Sequence, residues 1–470
     1  MVWDLATAKM KFQQNEVKGI RSLAYSPDGK TLALALYDGK VKLLDAATFK
    51  EQMVLDGHKS GVNCVAFSPD GLKLASASLD QTAKLWGLKT GKELVTLRGH
   101  TEYVLCVAFS PDGKMIGTAS GTSLHPQTGG NAKLWDAATG KELATLESPQ
   151  SPIEYLAFSP DSQMVATAHW DGNVSLWETN TGKRQTTFAA HVQGGFYVQF
   201  SRDGKLLATA GGTGQGPAGE VKLSEVPSGR EIAVFPHPSN VWSVQFSPDT
   251  RTLAVACWDS TVKLWELATR KERAVFGVSP VAAASATPAS ANPPSSEQLT
   301  AWWTDLGGAD ATRAYRAMWS LTEAGQPAVQ LIQERIQELK GDKAAPVDAQ
   351  RVAKLIAQLD DDDALVREKA TEELKGLGQG AGPAMRQALE KSPTAEVDFR
   401  LKLLLSHLSA EAPRTIHLIR AVEVLEHQAT SEARKLLDQL AKDSKETIKN
   451  EAENSLARLA QRDAKKPGAP

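Results

Sequence analysis

Cysteine is scarce in this chain, with three residues among 470, at Cys64, Cys106 and Cys257. They stand far apart and match neither a disulfide framework nor a zinc-site spacing, so we interpret them as small core residues. A reducing, cytoplasmic location is therefore expected. The sequence also lacks any run of about 18 apolar residues, which predicts no membrane-spanning helix, and its first residues do not have the pattern of a signal peptide.

An excess of basic charge is lacking as well. Lys and Arg number 53 against 55 Asp and Glu, a net charge of -2, so no nucleic acid partner is expected. The chain contains no Walker loop, nucleophile elbow, HExxH or CxxCH motif. His125 lies with Thr122 and Ser123 in a polar loop, which is too little to indicate a hydrolase. The sequence predicts a protein that is not an enzyme and has no cofactor, metal or small-molecule substrate.

A short turn motif recurs through the first 277 residues. Its copies are Ser26–Gly29, Ser68–Gly71, Ser110–Gly113, Ser159–Ser162, Ser201–Gly204 and Ser247–Thr250. The steps between successive copies are 42, 42, 49, 42 and 46 residues. So regular a step indicates a tandem array of one supersecondary unit, and a period near 40 with short strands is typical of a β-propeller.

Each unit contains four predicted strands. In the second complete unit they are Val62–Phe67, Leu74–Ser78, Ala83–Trp86 and Lys92–Leu97. Complete units begin near Gly19, Val62, Val104, Ile153, Gly195 and Val241. Before them, Val2–Leu5 and Lys9–Gln14 are predicted to be only the third and fourth strands of an earlier blade. We therefore expect a miscalled start or a fragment of a longer protein.

The repeated sequence resembles the WD-repeat family over residues 1 to about 277. The matching motifs are a Gly-His pair, VAFSPDG, LASASLD and AKLW, with an LWD ending at Leu134–Asp136. The resemblance implies a hydrogen-bonded chain of His, Ser or Thr, Asp and Trp in each blade. All four positions are matched by His58, Ser78, Asp80 and Trp86. We interpret these residues as structural rather than catalytic, because buried polar groups satisfy one another.

The other blades are predicted to contain only some of these four residues. His100, Ser120 and Trp135 lack the Asp, and His191 is almost alone, with Ser224 at the Trp position. In the last blade, His237, Asp259 and Trp265 have Cys257 at the hydroxyl position.

The second half of the chain changes character. Residues 278–296 are almost all Ala, Ser, Pro and Val without charge, which predicts a flexible linker. From residue 297 to 461 the apolar period becomes helical, with Ser296 as the expected first cap, and residues 462–470 are predicted to be disordered. The text from Leu359 to Gly378 resembles a HEAT-type repeat, and its four aspartates are interpreted as a helix cap rather than a calcium loop. The predicted fold is multidomain: an all-β propeller of six full blades plus a partial N-terminal blade, then an all-α HEAT-like domain.

Two functions remain open. The first is a scaffold for protein partners, which dock on the propeller face and on the helical domain. The second is the regulatory portion of a longer protein with a kinase or sigma-factor module upstream, because the architecture resembles large bacterial regulatory proteins. No residue indicates the partner's identity or the oligomeric state.

The resemblance also implies where partners bind. In the WD-repeat family they often meet the face that carries the loops before the first strand and between the second and third strands. The predicted partner-binding residues there are Tyr37, Leu79, Tyr103, Trp170, Phe196, Trp242 and Trp258. Any one of these residues is about as well explained by packing between blades. The concentration of aromatics in the last three blades favours a binding patch formed by Trp170, Phe196, Trp242 and Trp258.

Overall fold

The chain forms two compact units, one of Met1–Trp265 with Ala274–Ala284 and one of Glu266–Arg273 with Ser285–Pro470. The structure is a computed structural model. It describes residues 2–3, 5, 10–12, 19–122, 129–212, 218–277, 294–341, 348–361, 363–377, 381–390, 394, 397–398, 400–401, 404–405, 413–443 and 446–464. Within these ranges no helix combines the length and the apolar character needed to cross a membrane. Residues 278–293, which make up most of the predicted linker, lie outside the described part.

Six antiparallel sheets of four strands form the blades of a propeller, as the repeat predicts. Blade 1 contains β3 (Ile20–Tyr25), β4 (Thr31–Leu36), β5 (Lys40–Asp45) and β6 (Glu51–Asp56); blade 2 contains β7 (Val62–Phe67), β8 (Lys73–Ser78), β9 (Ala83–Gly87) and β10 (Lys92–Leu97). Blade 3 contains β11 (Val104–Phe109), β12 (Met115–Ser120), β13 (Gly130–Asp136) and β14 (Glu142–Ser148); blade 4 contains β15 (Ile153–Phe158), β16 (Met164–His169), β17 (Asn173–Glu178) and β18 (Arg184–Ala189). Blade 5 contains β19 (Gln193–Phe200), β20 (Leu206–Gly212), β21 (Gly219–Glu225) and β22 (Glu231–His237); blade 6 contains β23 (Val241–Phe246), β24 (Thr252–Cys257), β25 (Thr261–Glu266) and β26 (Lys271–Gly277). The first strands of neighbouring blades contact one another, so they are the innermost strands.

A two-stranded sheet of β1 (Val2–Trp3) and β2 (Met10–Phe12) precedes blade 1. The innermost strand of blade 1 is poorly covered: Leu23 is 57% exposed and Tyr25 is 47% exposed. At the position of Leu23, blade 2 has Val65, which is only 4% exposed. The innermost strand of blade 1 is therefore more exposed than the innermost strand of blade 2.

The Ser-Pro-Asp-Gly motif closes the turn between the first and second strands of a blade. In blade 2, the Ser68 hydroxyl donates to Asp70 Oδ1 at 2.5 Å and accepts the amide of Lys73 at 2.9 Å. The turn ends at Gly71 with φ +70°, a left-handed conformation that glycine adopts at little cost. Ser162 and Thr250 occupy this position in blades 4 and 6 with φ of 62° and 61°. A side chain there strains the backbone by about 1–2 kcal/mol.

The hydrogen-bonded chain of blade 2 runs through Ser76, and the assignment of its hydroxyl to Ser78 is wrong. His58 Nε2 lies 2.7 Å from Ser76 Oγ, which also accepts from Trp86 Nε1 at 2.8 Å. His58 Nδ1 bonds Asp80 Oδ2 at 2.9 Å. Ser78 donates instead to the carbonyls of Ser60 and Gly61. The two serines are two residues apart and face the same side of the strand, but only Ser76 lies diagonal to Trp86, which pairs with Leu74.

The same shift of two residues corrects blade 3. Its hydroxyl is Thr118 rather than Ser120, with His100 Nε2 at 2.7 Å and Trp135 Nε1 at 2.8 Å. Asn131 Oδ1 takes the place of the missing Asp at 2.8 Å from His100 Nδ1. The chain of hydrogen bonds is therefore complete in blade 3.

Blade 5 also contains more of the hydrogen-bonded chain than its sequence indicates. His191 Nε2 lies 2.9 Å from Thr209 Oγ1, and His191 Nδ1 lies 3.2 Å from Glu220 Oε1. His191 is therefore not alone.

Blade 6 lacks the hydroxyl altogether. By its place in the strand, Val255 corresponds to Ser76, and Cys257 corresponds to Ser78. Cys257 Sγ lies 3.4 Å from His237 Nδ1. Among the described residues, buried His237 Nε2 and Trp265 Nε1 have no hydrogen-bond partner. A valine side chain leaves both atoms unpaired because it has no hydroxyl to join them.

The second unit is helical, and nine helices lie within the described residues. They are α1 (Ser296–Leu306), α2 (Ala311–Ala324), α3 (Gln326–Gly341), α4 (Ala349–Gln358), α5 (Ala364–Gly376), α6 (Gly382–Glu390), α7 (Pro413–Gln428), α8 (Ser431–Asp443) and α9 (Glu446–Ala464). The first cap is Ser295 rather than Ser296, because only Ser295 has Gln298 three residues later to complete a capping box. Helix α5 lies within the HEAT-like sequence from Leu359 to Gly378, which begins one residue after the end of α4, and its assignment to HEAT repeats stays a prediction. Helix α9 extends to Ala464, three residues beyond the predicted end, and residues 465–470 lie outside the described part.

Four buried charges meet inside this second unit. Arg273 donates to Glu423 through Nη1 and Nη2 at 3.0 and 2.9 Å, and Nη2 also reaches Glu266 at 2.8 Å. Arg420 binds Glu266 through Nε and Nη2 at 2.7 and 2.6 Å. Burial raises the pKa of Glu266, but the hydrogen bond from Arg420 and the charge of Arg273 outweigh it and lower the pKa to about 2. Two positive and two negative side chains therefore compensate one another away from water.

Candidate partner-binding site at the propeller rim

A recurring backbone hydrogen bond builds one end of the propeller, which we call the rim. The residue after the second strand donates its amide to a carbonyl just before the first strand of the same blade. These bonds are Tyr37 N to Gly19 O, Leu79 N to Gly61 O, Gly121 N to Tyr103 O, Trp170 N to Pro152 O and Trp258 N to Asn240 O, at 2.9 to 3.1 Å. Side chains from both places in the repeat therefore share the rim.

Every innermost strand also contains a β-bulge at the rim. In blade 4, Ile153 pairs with His169 and Tyr155 pairs with Ala168, so Glu154 is the extra residue. The extra residues of the blades are Arg21, Asn63, Leu105, Glu154, Phe196 and Trp242, and blade 5 has a second one, Gly194. A bulge redirects the side chain of its extra residue.

Four of the predicted residues form an unbroken series of ring contacts, which we call the aromatic row. Trp170 and Phe196 have ring centroids 5.6 Å apart, and Phe196 and Trp242 are 5.8 Å apart. Trp242 and Trp258 follow at 5.0 Å. The row crosses blades 4, 5 and 6. Trp242 and Trp258 are 51% and 53% exposed, whereas Trp170 and Phe196 are partly buried.

Two glycines let the row form. A Cβ at Gly194 would lie 2.7 Å from the Phe196 ring, and Gly194 has φ +70°. A Cβ at Gly195 would lie 2.6 Å from the carbonyl oxygen of His169. Because both contacts are too short for a side chain, Gly194 and Gly195 allow Phe196 to approach Trp170.

The other three predicted residues lie on blades 1 to 3. Tyr37 is 59% exposed, with the guanidinium of Arg21 5.3 Å from its ring centre. Leu79 and Tyr103 are partly buried. Within the described residues, no ring contact joins Tyr37 or Tyr103 to the aromatic row. Residues 123–128 and 213–217, between the second and third strands of blades 3 and 5, lie outside the described part.

Glu154 is a rim residue that the sequence analysis missed. It holds the bulge position of blade 4, as Phe196 and Trp242 do in blades 5 and 6. Alignment of the six innermost strands would have placed it at the rim, since it falls in the same column as Asn63. The burial of its Oε1, however, depends on the tertiary structure and has no signal in the sequence.

Comparison with known proteins agrees with this architecture. Residues 19–215 match the family model described as IFT122 first beta-propeller, and residues 229–266 match the WD domain, G-beta repeat. The propeller is a WD40-repeat propeller. Jouberin from Mus musculus is 37% identical over 54 residues, which are 11% of this chain and 5% of Jouberin. The match thus spans a small part of the mouse protein. The resemblance of the helical domain to HEAT repeats, and of the whole chain to bacterial regulatory proteins, stays a prediction.

Proposed function

We propose that the protein is an interaction scaffold whose WD40 propeller docks a partner protein on the rim, with the aromatic row at the centre of the contact. The observation that carries this proposal is the unbroken series of four rings that ends in two half-exposed tryptophans. Exposed aromatic clusters are typical hot spots of protein interfaces.

The size of the row suits the centre of an interface. A tryptophan side chain has roughly 200 Å² to bury, so two that are half exposed offer roughly 200 Å² together. A stable interface buries about 800 Å² on each partner. The row therefore supplies about a quarter of that area, and the surrounding rim residues supply the rest.

The test compares partner capture by three forms of the full chain. The first is the wild type, the second is Trp170→Ala with Trp258→Ala, and the third is Leu72→Ala with Leu143→Ala. Leu72 and Leu143 are matched controls because they are 66% and 51% exposed but lie away from the rim. Captured proteins are identified by mass spectrometry, and the affinity of each purified partner is then measured for all three forms.

Truncation of a hot-spot tryptophan costs about 2 kcal/mol or more, which is about a 30-fold loss of affinity. We expect partners to bind the control form with wild-type affinity and to bind the tryptophan double variant at least about 30-fold more weakly. Thermal melting must show that the double variant is folded. Equal affinity of the folded double variant and the wild type for every partner would reject the rim as the docking surface.

A further inference from the structure

Glu154 has a carboxylate oxygen that lacks a hydrogen-bond partner among the described residues. Its Oε1 is buried and has no hydrogen-bond partner in the part of the chain that the structure describes, although the residue as a whole is partly exposed. Burial raises the pKa of this carboxyl to about 7. Since a buried carboxylate oxygen without a partner is costly, a complementary group that arrives from solvent is favoured.

Glu154 lies beside the aromatic row. Two residues before it, the carbonyl of Pro152 accepts the amide of Trp170 at 3.0 Å. One residue after it, Tyr155 stacks on Tyr197 with ring centroids 3.9 Å apart and hydroxyl oxygens 3.0 Å apart. Tyr197 follows Phe196 directly on the neighbouring innermost strand. Glu154 and Phe196 are thus bulge residues on adjacent innermost strands, which places the backbone of Glu154 beside the end of the row.

The bulge position also faces the neighbouring blade. In blade 2, where the bulge residue is Asn63, its Nδ2 donates to the carbonyl of Val104 in blade 3 at 3.1 Å. A side chain at this position can therefore bond a group that lies between two blades at the rim.

A positively charged group can interact both with the aromatic row and with the carboxylate of Glu154. The faces of tryptophan rings attract ammonium and guanidinium groups, and a carboxylate forms strong charge-assisted hydrogen bonds with them. An apolar ligand would leave Glu154 Oε1 unpaired, and an acidic ligand would meet a like charge. A single carboxylate offers too few oxygen atoms for calcium or magnesium.

We infer that the partner of the rim inserts a lysine or arginine side chain between Glu154 and the aromatic row. This inference rests on the proposed function, because it names the chemistry of the group that docks on the same surface. The partner is a protein whose docking segment presents a basic side chain, with its flanking residues on the half-exposed tryptophans.

The test uses the immobilised full chain and short peptide libraries that have randomised flanks and one fixed central residue. The central residue is lysine, norleucine or glutamate. Norleucine keeps an apolar chain of similar size without the charge. The wild type is compared with Glu154→Gln and with Glu147→Gln, a matched control that removes an exposed carboxylate from β14. Glu154→Leu is a second variant in case Glu154→Gln fails to fold.

We expect the wild type and Glu147→Gln to retain the lysine library about tenfold more than the norleucine library. Glu154→Gln should bring that ratio close to one without changing retention of the norleucine library. Trp170→Ala with Trp258→Ala should lose retention of both libraries.

The inference and the proposed function fail in different ways. A wild-type preference for norleucine or glutamate, or a lysine preference that survives Glu154→Gln, overturns the inference and leaves the rim as the docking surface. Unchanged retention of every library by the tryptophan double variant counts against the proposed function and the inference together. Retention of no library by the wild type overturns the inference, while the capture experiment still decides the proposed function.

Discussion

Restoring a hydroxyl in blade 6 should stabilise the propeller. Val255 occupies the place of Ser76 and Thr118, the hydroxyls that join histidine to tryptophan in blades 2 and 3. The two atoms that such a hydroxyl would join, His237 Nε2 and Trp265 Nε1, are buried without a partner among the described residues. Val255→Thr keeps the shape of the side chain and supplies the missing group. One hydroxyl can donate to the histidine and accept from the tryptophan.

The magnitude follows from two opposing contributions. A buried polar atom without a partner costs about 1–3 kcal/mol; at about 1–2 kcal/mol for each atom, pairing two such atoms recovers about 2–4 kcal/mol. Placing a hydroxyl where a methyl group was packed costs about 1–2 kcal/mol. The expected net gain in the free energy of unfolding is about 1–2 kcal/mol. For a domain of this size, that gain raises Tm by about 2–8 °C.

The assay is thermal and urea unfolding of the full chain, followed by tryptophan fluorescence. The reciprocal variant Ser76→Val leaves His58 Nε2 and Trp86 Nε1 unpaired and should cost about 2–4 kcal/mol. Val255→Ala is the control, since it removes methyl groups without adding a hydroxyl and should destabilise by about 2 kcal/mol. If Val255→Thr melts at or below the wild type while Ser76→Val is neutral, the shared hydroxyl does not stabilise the blades and the reasoning is refuted.

Three further outcomes are expected. Burial lowers the pKa of His100 and of His169 from 6.5 to about 4; because the unfolded chain then takes up protons first, stability should fall from about pH 6.5 to 4, by up to about 3 kcal/mol for each histidine. A Tm that stays constant over this range would contradict the burial of these rings. Thr250→Gly relieves a left-handed backbone at φ 61° and should raise Tm by about 2–4 °C, whereas a lower Tm would show that the turn is not strained. Glu266→Gln leaves the buried charge of Arg420 uncompensated and should cost about 3–5 kcal/mol in unfolding followed by helical circular dichroism; a cost below about 1 kcal/mol would speak against the network.

The propeller could be predicted from the sequence because a turn motif and the strands around it recur at a regular spacing. Each Ser-Pro-Asp-Gly copy marks a turn through local hydrogen bonds such as that of Ser68 with Asp70. The alternation of apolar and polar residues on either side of the turn indicates two strands. Both signals depend only on residues that are neighbours in the chain. The change to a helical period after the linker predicted the second unit for the same reason.

The sequence by itself could also place tryptophans and phenylalanine at corresponding positions of the repeat, but it could not decide their contacts. Trp170 and Trp258 are 88 positions apart, and only the packing of adjacent blades brings their row together. The choice of Ser76 over Ser78 likewise depended on strand register, because both serines face the same side of β8.

Only the tertiary structure decided which charged side chains are buried. In the sequence, Glu154 is an ordinary strand residue, and Glu266 and Arg273 are ordinary residues near strand ends. The fold buries Oε1 of Glu154, and packing within the second unit buries the other two side chains beside Arg420. Burial is set by elements that are distant in the chain, and the cost of an unpaired charge exists only after those elements have excluded water.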